Sequence, residues 1–296
     1  MSASPVDPAA AIGRVAVLGA GTMGHGIAEV VALAGCGVSL FDADPAKLDW
    51  ALQTIQRHLH RAVERGHVNP TAAALAQANL HEAANLADAV EDADLVIEAV
   101  PEDLELKRRL FAEVDALAPP DALLASNTSS LRIARLAEVT GRPARVLGMH
   151  FFNPVPRMRL VEIIRHDGTD PEAVATAVAF ARRLGKEPIV VKDSPGFATS
   201  RLGVVLGLEA IRMVEEGVAS VEDIDRAMEL GYNHPMGPLK LSDLVGLDVR
   251  LRIAEYLHQE LGGEQYRPPQ LLRRMVAEGK LGKKTGQGFY RWEPEA

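Results

Sequence analysis

The chain carries one cysteine, Cys36, in 296 residues. An internal disulfide is therefore excluded, and between glycines after an apolar stretch Cys36 reads as a small packed residue, not a reactive thiol. Positive charge is also short: 32 basic side chains stand against 40 acidic ones, for a formal charge of -8. That balance excludes general nucleic-acid binding, and an anionic ligand would need a local basic patch. No apolar run approaches the roughly 18 residues of a membrane-spanning helix, so no membrane partner is expected. The leading segment MSASPVDPAAA lacks the basic start and apolar core of a signal peptide. It reads as a short disordered lead, and the expected compartment is the cytoplasm. Internal repeats and low-complexity tracts are missing too, which removes tandem arrays, and no metal centre is expected.

What is present is length and rhythm. A chain of 296 residues exceeds the size at which single cores stop growing, so two domains are expected. In the first part, short β-branched runs alternate with helical patterns, the signature of a parallel sheet wrapped by helices. RVAVLGA, GVSLFD, ADLVIEAV, ALLASN, RVLGMHFF, RLVEII and PIVVKD read as strands. A small, apolar helix is expected over residues 22–34. A longer one starts with Asp44 as N-cap and Pro45 in its first turn, buries Leu48, Leu52, Ile55, Leu59 and Val63, and stops at Gly66. From Arg201 onward the patterns are helical: RLGVVLGLEAIRMVEEG, SVEDIDRAMEL with Ser220 and Asp223 spaced as a capping box, LSDLVGLDVRLRIAEYLHQELG and QLLRRMVAEGK. The expected fold is an α/β Rossmann-type NAD-binding domain over residues 12–193, followed by a smaller all-α domain over residues 194–296.

The dinucleotide expectation comes from VAVLGAGTMGHGIA. Gly19, Gly21 and Gly24 form G-x-G-x-x-G after a strand and at the mouth of a helix, with Ala20, Thr22 and Met23 filling the turn. The first glycine permits the tight turn, the second lets a pyrophosphate approach the backbone, and the third allows close helix packing. The helix amino terminus then offers free N–H groups to the phosphates. Asp42 closes the second strand, where a carboxylate accepts from an adenosine ribose and repels a 2′-phosphate, which favours NAD over NADP.

A second cluster follows the later strands. SNTSSL places Asn127 and Ser129 just past a strand, and GMHFFNPVPRMRLVEII places His150, Asn153 and Glu162 in one strand–turn–strand unit. Residues beyond strand carboxyl ends are the ones that reach ligand in a doubly wound sheet. Glu162 sits between Val161 and Ile163 in a run too apolar for a solvated face. A buried carboxylate needs a partner, and a histidine is the obvious candidate. Ser129 or Ser130 could also cap a helix beginning near Leu131.

In order along the chain, GAGTMGHGIA, EAVPEDLELK, SNTSSL, HFFNPVP, LVEII, KDSPGF, GLEAIRMVEEG, DIDRAM, HPMGPL, DLVGLDV and GKKTGQGFY resemble the L-3-hydroxyacyl-CoA dehydrogenases, especially the 3-hydroxybutyryl-CoA type. The resemblance implies an NAD domain followed by a helical domain that contributes to the substrate cleft and to a homodimer, and an acyl-CoA substrate. It implies that His150 is the general acid/base, that Glu162 orients the imidazole and stabilises its protonated form, and that Ser129 bonds the substrate oxygen. On the cofactor side it adds Glu102, Lys107, Asn127, Asn153 and Lys284 to the glycine turn and Asp42. One position departs from the pattern: Ser200 stands where the family has an asparagine that helps to hold the substrate oxygen, which puts the acyl chain in doubt more than the reaction. For the CoA phosphates, Arg57, Arg61 and Arg65 recur every four residues on one helix face with His58 beside them. The resemblance points to His58 and Arg65, and the spacing adds Arg61 between them, while the same stripe also suits a solvated face. A dehydrogenase of a free hydroxy acid and a noncatalytic dinucleotide-binding protein stay open as other readings.

Overall fold

Strands covered on both faces need near-continuous apolar runs, and the centre of this chain's sheet is built from such runs. This computed structural model describes residues 11–293; residues 1–10, most of the leading segment, lie outside the described residues. The chain divides between Asp193 and Ser194 into two compact units.

In the first unit the elements run β1 (Arg14–Leu18), α1 (Gly24–Leu33), β2 (Gly37–Phe41), α2 (Pro45–Glu64), α3 (Pro70–Ala78), β3 (Leu80–Glu82), α4 (Leu86–Val90), β4 (Leu95–Glu98), α5 (Leu104–Leu117), β5 (Leu123–Ser126), α6 (Ile133–Ala137), β6 (Val146–Phe151), β7 (Leu160–Arg165), α7 (Pro171–Arg183) and β8 (Glu187–Lys192). Among the described residues, one eight-stranded sheet has the order β3-β2-β1-β4-β5-β6-β7-β8. The chain reverses from β3 to β4 across β1, so the carboxyl ends of β1 and β4 bracket the crevice where ligands of such sheets bind. Asp44 caps α2 through the Ala46 N–H, with Pro45 in the first turn. Cys36 is buried, and burial pushes its thiol up.

The structure departs from the sequence expectations at four places. The sheet is not all parallel: β6 and β7 pair antiparallel. Residues 152–159 join them without a helix, whereas a parallel pair needs a crossover of a dozen or more residues. Helix α3 and strand β3 were not expected, because PTAAALAQA carries no wide apolar stripe and β3 has only three residues. Neither Ser129 nor Ser130 caps α6. Its first N–H groups, on Ile133 and Ala134, donate instead to the Asp193 carboxylate at 2.9 and 2.8 Å.

The fourth departure lies in the second unit, which is helical: α8 (Thr199–Glu215), α9 (Val221–Gly231), α10 (Pro238–Val245), α11 (Leu247–Leu261) and α12 (Gln270–Ala277). The long helix expected from LSDLVGLDV is broken at Gly246, whose φ of 99° no helix accommodates. Val204, Leu208, Ile211, Leu239, Leu247 and Leu257 form its core. At Ser220 the hydroxyl accepts from the Asp223 N–H and donates to the Asp223 carboxylate. Among the described residues no helix is long and apolar enough to cross a membrane, and no cluster of acidic, histidine or cysteine side chains could hold a metal ion.

Candidate active site

The glycine turn is shaped by contacts that a side chain would destroy. A Cβ on Gly24 would lie 1.7 Å from the Gly19 carbonyl oxygen, while Gly19 itself has φ +100°. Around Gly21 the space is open: a Cβ there would meet nothing within 4 Å. Close approach of a pyrophosphate requires such a gap over the second glycine. Met23 precedes α1 without a side-chain cap and no acidic residue occupies the first turn, so no side chain competes with an anion there, while the His25 N–H donates to the Gly21 carbonyl at 3.1 Å. Beside the turn a cavity of about 560 Å³ has Leu18, Phe41, Val100, Leu106 and Leu110 among its walls and Asp42 at its edge. Asp44, Glu113, Lys47 and Arg109 line it too, so apolar walls for an adenine stand beside polar groups, Asp42 among them, for a ribose, and these residues fit NAD. Asp42 is also tied into the turn: Oδ2 accepts from the Ala20 N–H at 2.8 Å and Oδ1 from the Asp44 N–H at 2.9 Å.

A chain of buried charge supports the next loop. Glu98, at the end of β4, accepts from Lys107 Nζ at 2.6 Å, from the Val100 N–H at 2.7 Å and from the Ser126 hydroxyl at 2.6 Å. Burial pushes the Glu98 carboxyl up, and Lys107 opposes it. Lys107, expected at the cofactor, is itself only 1% exposed. It reaches the site through Glu102, whose Oε2 lies 3.4 Å away. Glu102 Oε1 in turn accepts from the Thr128 hydroxyl at 2.5 Å, the Ser129 N–H at 3.2 Å and the Ser130 hydroxyl at 3.2 Å. The loop bearing Ser129 is thereby fixed by a carboxylate, not by a helix.

His150 and Glu162 face each other across β6 and β7. His150 Nδ1 lies 2.7 Å from Glu162 Oε2, with the histidine 7% exposed and the glutamate fully buried. The Phe152 ring packs 4.4 Å from the imidazole. Asn127 accepts from the Phe151 N–H at 2.8 Å, which ties the loop after β5 to β6. Because β1, β2, β4, β5 and β6 are parallel, the glycine turn, Asp42, Glu102, Ser129 and His150 lie at one edge of the sheet.

A basic cleft of about 760 Å³ runs along α2. His58, Arg61 and Arg65 line it as the stripe implied, whereas Arg57 does not and donates to Thr54 instead. His58 Nδ1 lies 3.0 Å from Glu29 Oε2 at the cleft wall. Burial pushes the Glu29 carboxyl up, with His58 opposing.

Two family models match the chain, one over each unit. Residues 14–194 match the 3-hydroxyacyl-CoA dehydrogenase NAD binding domain, and residues 196–292 match the 3-hydroxyacyl-CoA dehydrogenase C-terminal domain. The chain belongs to the 3-hydroxyacyl-CoA dehydrogenase family. A 3-hydroxybutyryl-CoA dehydrogenase of Mycobacterium tuberculosis is 49% identical over 95% of this chain and 98% of its own. The crystal structure of (S)-3-hydroxybutyryl-CoA dehydrogenase PaaH1 from Ralstonia eutropha is 42% identical, covers 96% of this chain and 100% of its own, and has a TM-score of 0.92. A diketoreductase acting on dicarbonyl compounds is 34% identical, with a TM-score of 0.83 over 95% of this chain and 99% of its own. The first unit is accordingly an NAD-binding domain, and the protein is an NAD-dependent 3-hydroxyacyl-CoA dehydrogenase.

Two further residues that the family pattern names lie in the second unit. Ser200 is in the first turn of α8, half-buried. Lys284 Nζ pairs with Asp248 Oδ1 at 2.5 Å in α11, holding that carboxyl below its usual range against burial, which pushes it up. In the first unit Asn153 is exposed, just before Pro154 in the turn after β6. Sequence reasoning missed Glu98, although it ends the apolar run LVIE by the same signal that singled out Glu162. It also missed Glu29, Arg157, Arg159 and Lys186 at the cleft, which no local pattern marks.

Proposed function

We propose that this dehydrogenase interconverts (S)-3-hydroxybutyryl-CoA and 3-oxobutyryl-CoA reversibly, with His150 and Glu162 as the acid/base pair. The observation that carries this reading is the buried cross-strand contact between them. With Nδ1–H donated to Glu162, the basic lone pair of the imidazole sits on Nε2, which takes the proton of the C3 hydroxyl. NAD, held by the glycine turn and Asp42, would supply the hydride acceptor for C3. The Glu162 carboxylate stabilises the imidazolium, and in the reverse direction the imidazolium returns its proton to the oxygen. Ser129, held by Glu102, donates to the substrate oxygen and keeps C3 oriented. Asp42 takes the adenosine ribose, and Asn127 and Asn153 border the nicotinamide end. His58, Arg61 and Arg65 receive the CoA phosphates in a cleft that is basic despite the acidic chain. Family resemblance alone carries the role of Lys284 toward the cofactor, and Ser200 is assigned toward the substrate oxygen only by its place at the family's asparagine position. The names of the 3-hydroxybutyryl-CoA relatives support the four-carbon acyl group. For assembly the reading is a homodimer: α10 exposes Leu241, Leu244 and Val245 at helical spacing, and Leu202 and Leu230 are exposed on α8 and α9.

The test is NADH oxidation with 3-oxoacyl-CoAs of four to ten carbons beside the matching free acids. The expected outcome is the highest kcat/KM for the four-carbon CoA ester and a drop of at least about 10²-fold for free acetoacetate, since the remote handle supplies binding that the acid lacks. Equal rates on the free acid or a simple diketone would favour the diketoreductase-like reading.

A further inference from the structure

Lys186 lies between the close of α7 and the start of β8. It is 7% exposed, and burial pulls its ammonium below the usual lysine range while the Glu29 carboxylate opposes that shift. Burying a cation is costly unless its N–H groups are used. Here they are: Nζ donates to the Val155 carbonyl at 2.5 Å and to the Met158 carbonyl at 2.9 Å. Both acceptors belong to the turn at residues 154–159 that directly follows β6, the strand of His150.

That turn is held from the other side as well. The Arg157 and Met158 N–H groups both donate to the Pro154 carbonyl at 3.0 Å. Val155 packs on α1, where a Cβ on Gly26 would come within 3.0 Å of the Val155 Cβ. Arg157 and Arg159, on the same turn, line the same basic cleft as the stripe from α2, with Arg159 paired to the exposed Glu187. Filling a core position needs no charge, so an ammonium aimed at two carbonyls of one turn serves to fix that turn.

We infer that Lys186 is a positioning residue for substrate recognition: it fastens the 154–159 turn so that Arg157 and Arg159 meet the anionic, nucleotide end of the acyl-CoA. The inference rests on the reading of this cleft as the CoA site. Cations from two elements around the cleft then serve the phosphates, α2 supplying one set and the fastened turn the other.

The experiment measures kcat and KM for acetoacetyl-CoA and for acetoacetyl-pantetheine, which lacks the nucleotide, in Lys186→Met, Lys186→Gln, Arg157→Ala and the combined variants. Lys186→Met is expected to raise KM for the CoA ester by about tenfold, with kcat within about threefold and KM for the pantetheine ester within about twofold, the pattern of lost uniform binding. Arg157→Ala should raise KM for the CoA ester alone but add little in the Lys186→Met background, because the two changes remove one interaction. Equal rises for both esters, multiplicative effects of the two substitutions, unchanged KM in the Lys186 variants, or loss of fold in both of them would overturn the inference. Arg61→Ala with Arg65→Ala separates the two readings. If it and Arg157→Ala leave KM for the CoA ester unchanged, the cleft is not the CoA site and both fail; if they raise it while the Lys186 variants do not, only the role of Lys186 fails.

Discussion

His150 and Glu162 are direct partners across the one antiparallel step in an otherwise parallel sheet, with Nδ1 and Oε2 2.7 Å apart. Cross-strand neighbours share a side of the sheet at fixed spacing, so this pairing sets the imidazole's tautomer without help from a loop. Replacing His150 with Gln is expected to lower kcat about 10²- to 10⁴-fold while NADH affinity stays within about twofold. Glu162→Gln should lower kcat as well, because an amide cannot stabilise the imidazolium. Steady-state kinetics with NADH titrations check this; near-normal turnover in folded His150→Gln would falsify the assignment.

Asp42 does two jobs, and the second changes what its removal does. Its carboxylate accepts from the Ala20 and Asp44 N–H groups. Asp42→Ala leaves the Ala20 N–H without this acceptor inside the glycine turn, at a cost of about 1–3 kcal/mol. NADH should bind roughly 5- to 150-fold more weakly, and NADPH should not rise to the wild-type level for NADH. A variant that binds NADPH as tightly as the wild type binds NADH would show that repulsion of the 2′-phosphate is the whole role of Asp42.

Gly21 and Gly24 should fail differently. Gly21→Ala meets open space, so its melting should be close to wild type while NADH affinity drops at least about tenfold, the methyl standing where the pyrophosphate approaches. Gly24→Ala drives a Cβ onto the Gly19 carbonyl oxygen and should cost about 1–3 kcal/mol of stability or more, together with cofactor binding. Paired melts and fluorescence titrations distinguish them; identical behaviour would mean that the turn is not built around its ligand.

Lys107→Met leaves the Glu98 carboxylate buried without its cation, though still bonded to the Val100 N–H and the Ser126 hydroxyl, a loss of about 3–5 kcal/mol near neutral pH. The sign with pH follows from Glu98, whose carboxyl burial pushes up and Lys107 pulls down. Without Lys107 the folded state keeps the Glu98 proton to higher pH than the unfolded chain, which ionises near about 4.3. Where the folded state holds more protons, stability falls as pH rises, so the gap in Tm between wild type and variant should be wider at pH 7 than at pH 5. A gap that does not change with pH would mean that Glu98 stays ionised in the variant.

Local chemistry by itself determined the parts of this protein that repeat or that violate a local rule. Short β-branched and apolar runs marked the strands beside the site. The spacing of Gly19, Gly21 and Gly24 marked the turn, and a glutamate inside LVEII marked Glu162 as a buried group needing a partner. These signals need only neighbours in sequence, because a strand covered on both faces is written as a short apolar run and a helix face every third to fourth residue.

Tertiary structure decided what depends on contacts between distant segments. It turned β7 antiparallel, which put Glu162 opposite His150. It capped α6 with Asp193, some 60 residues on, where sequence pointed to a nearby serine. It drew Lys107 away from the surface and into a pair with Glu98, and it set Lys186 under a turn that begins 32 residues earlier in the chain. In each case a buried polar group is satisfied by a partner with no periodic relation to it, and the cost of leaving such a group unpaired, not any pattern in the neighbouring residues, selects that partner.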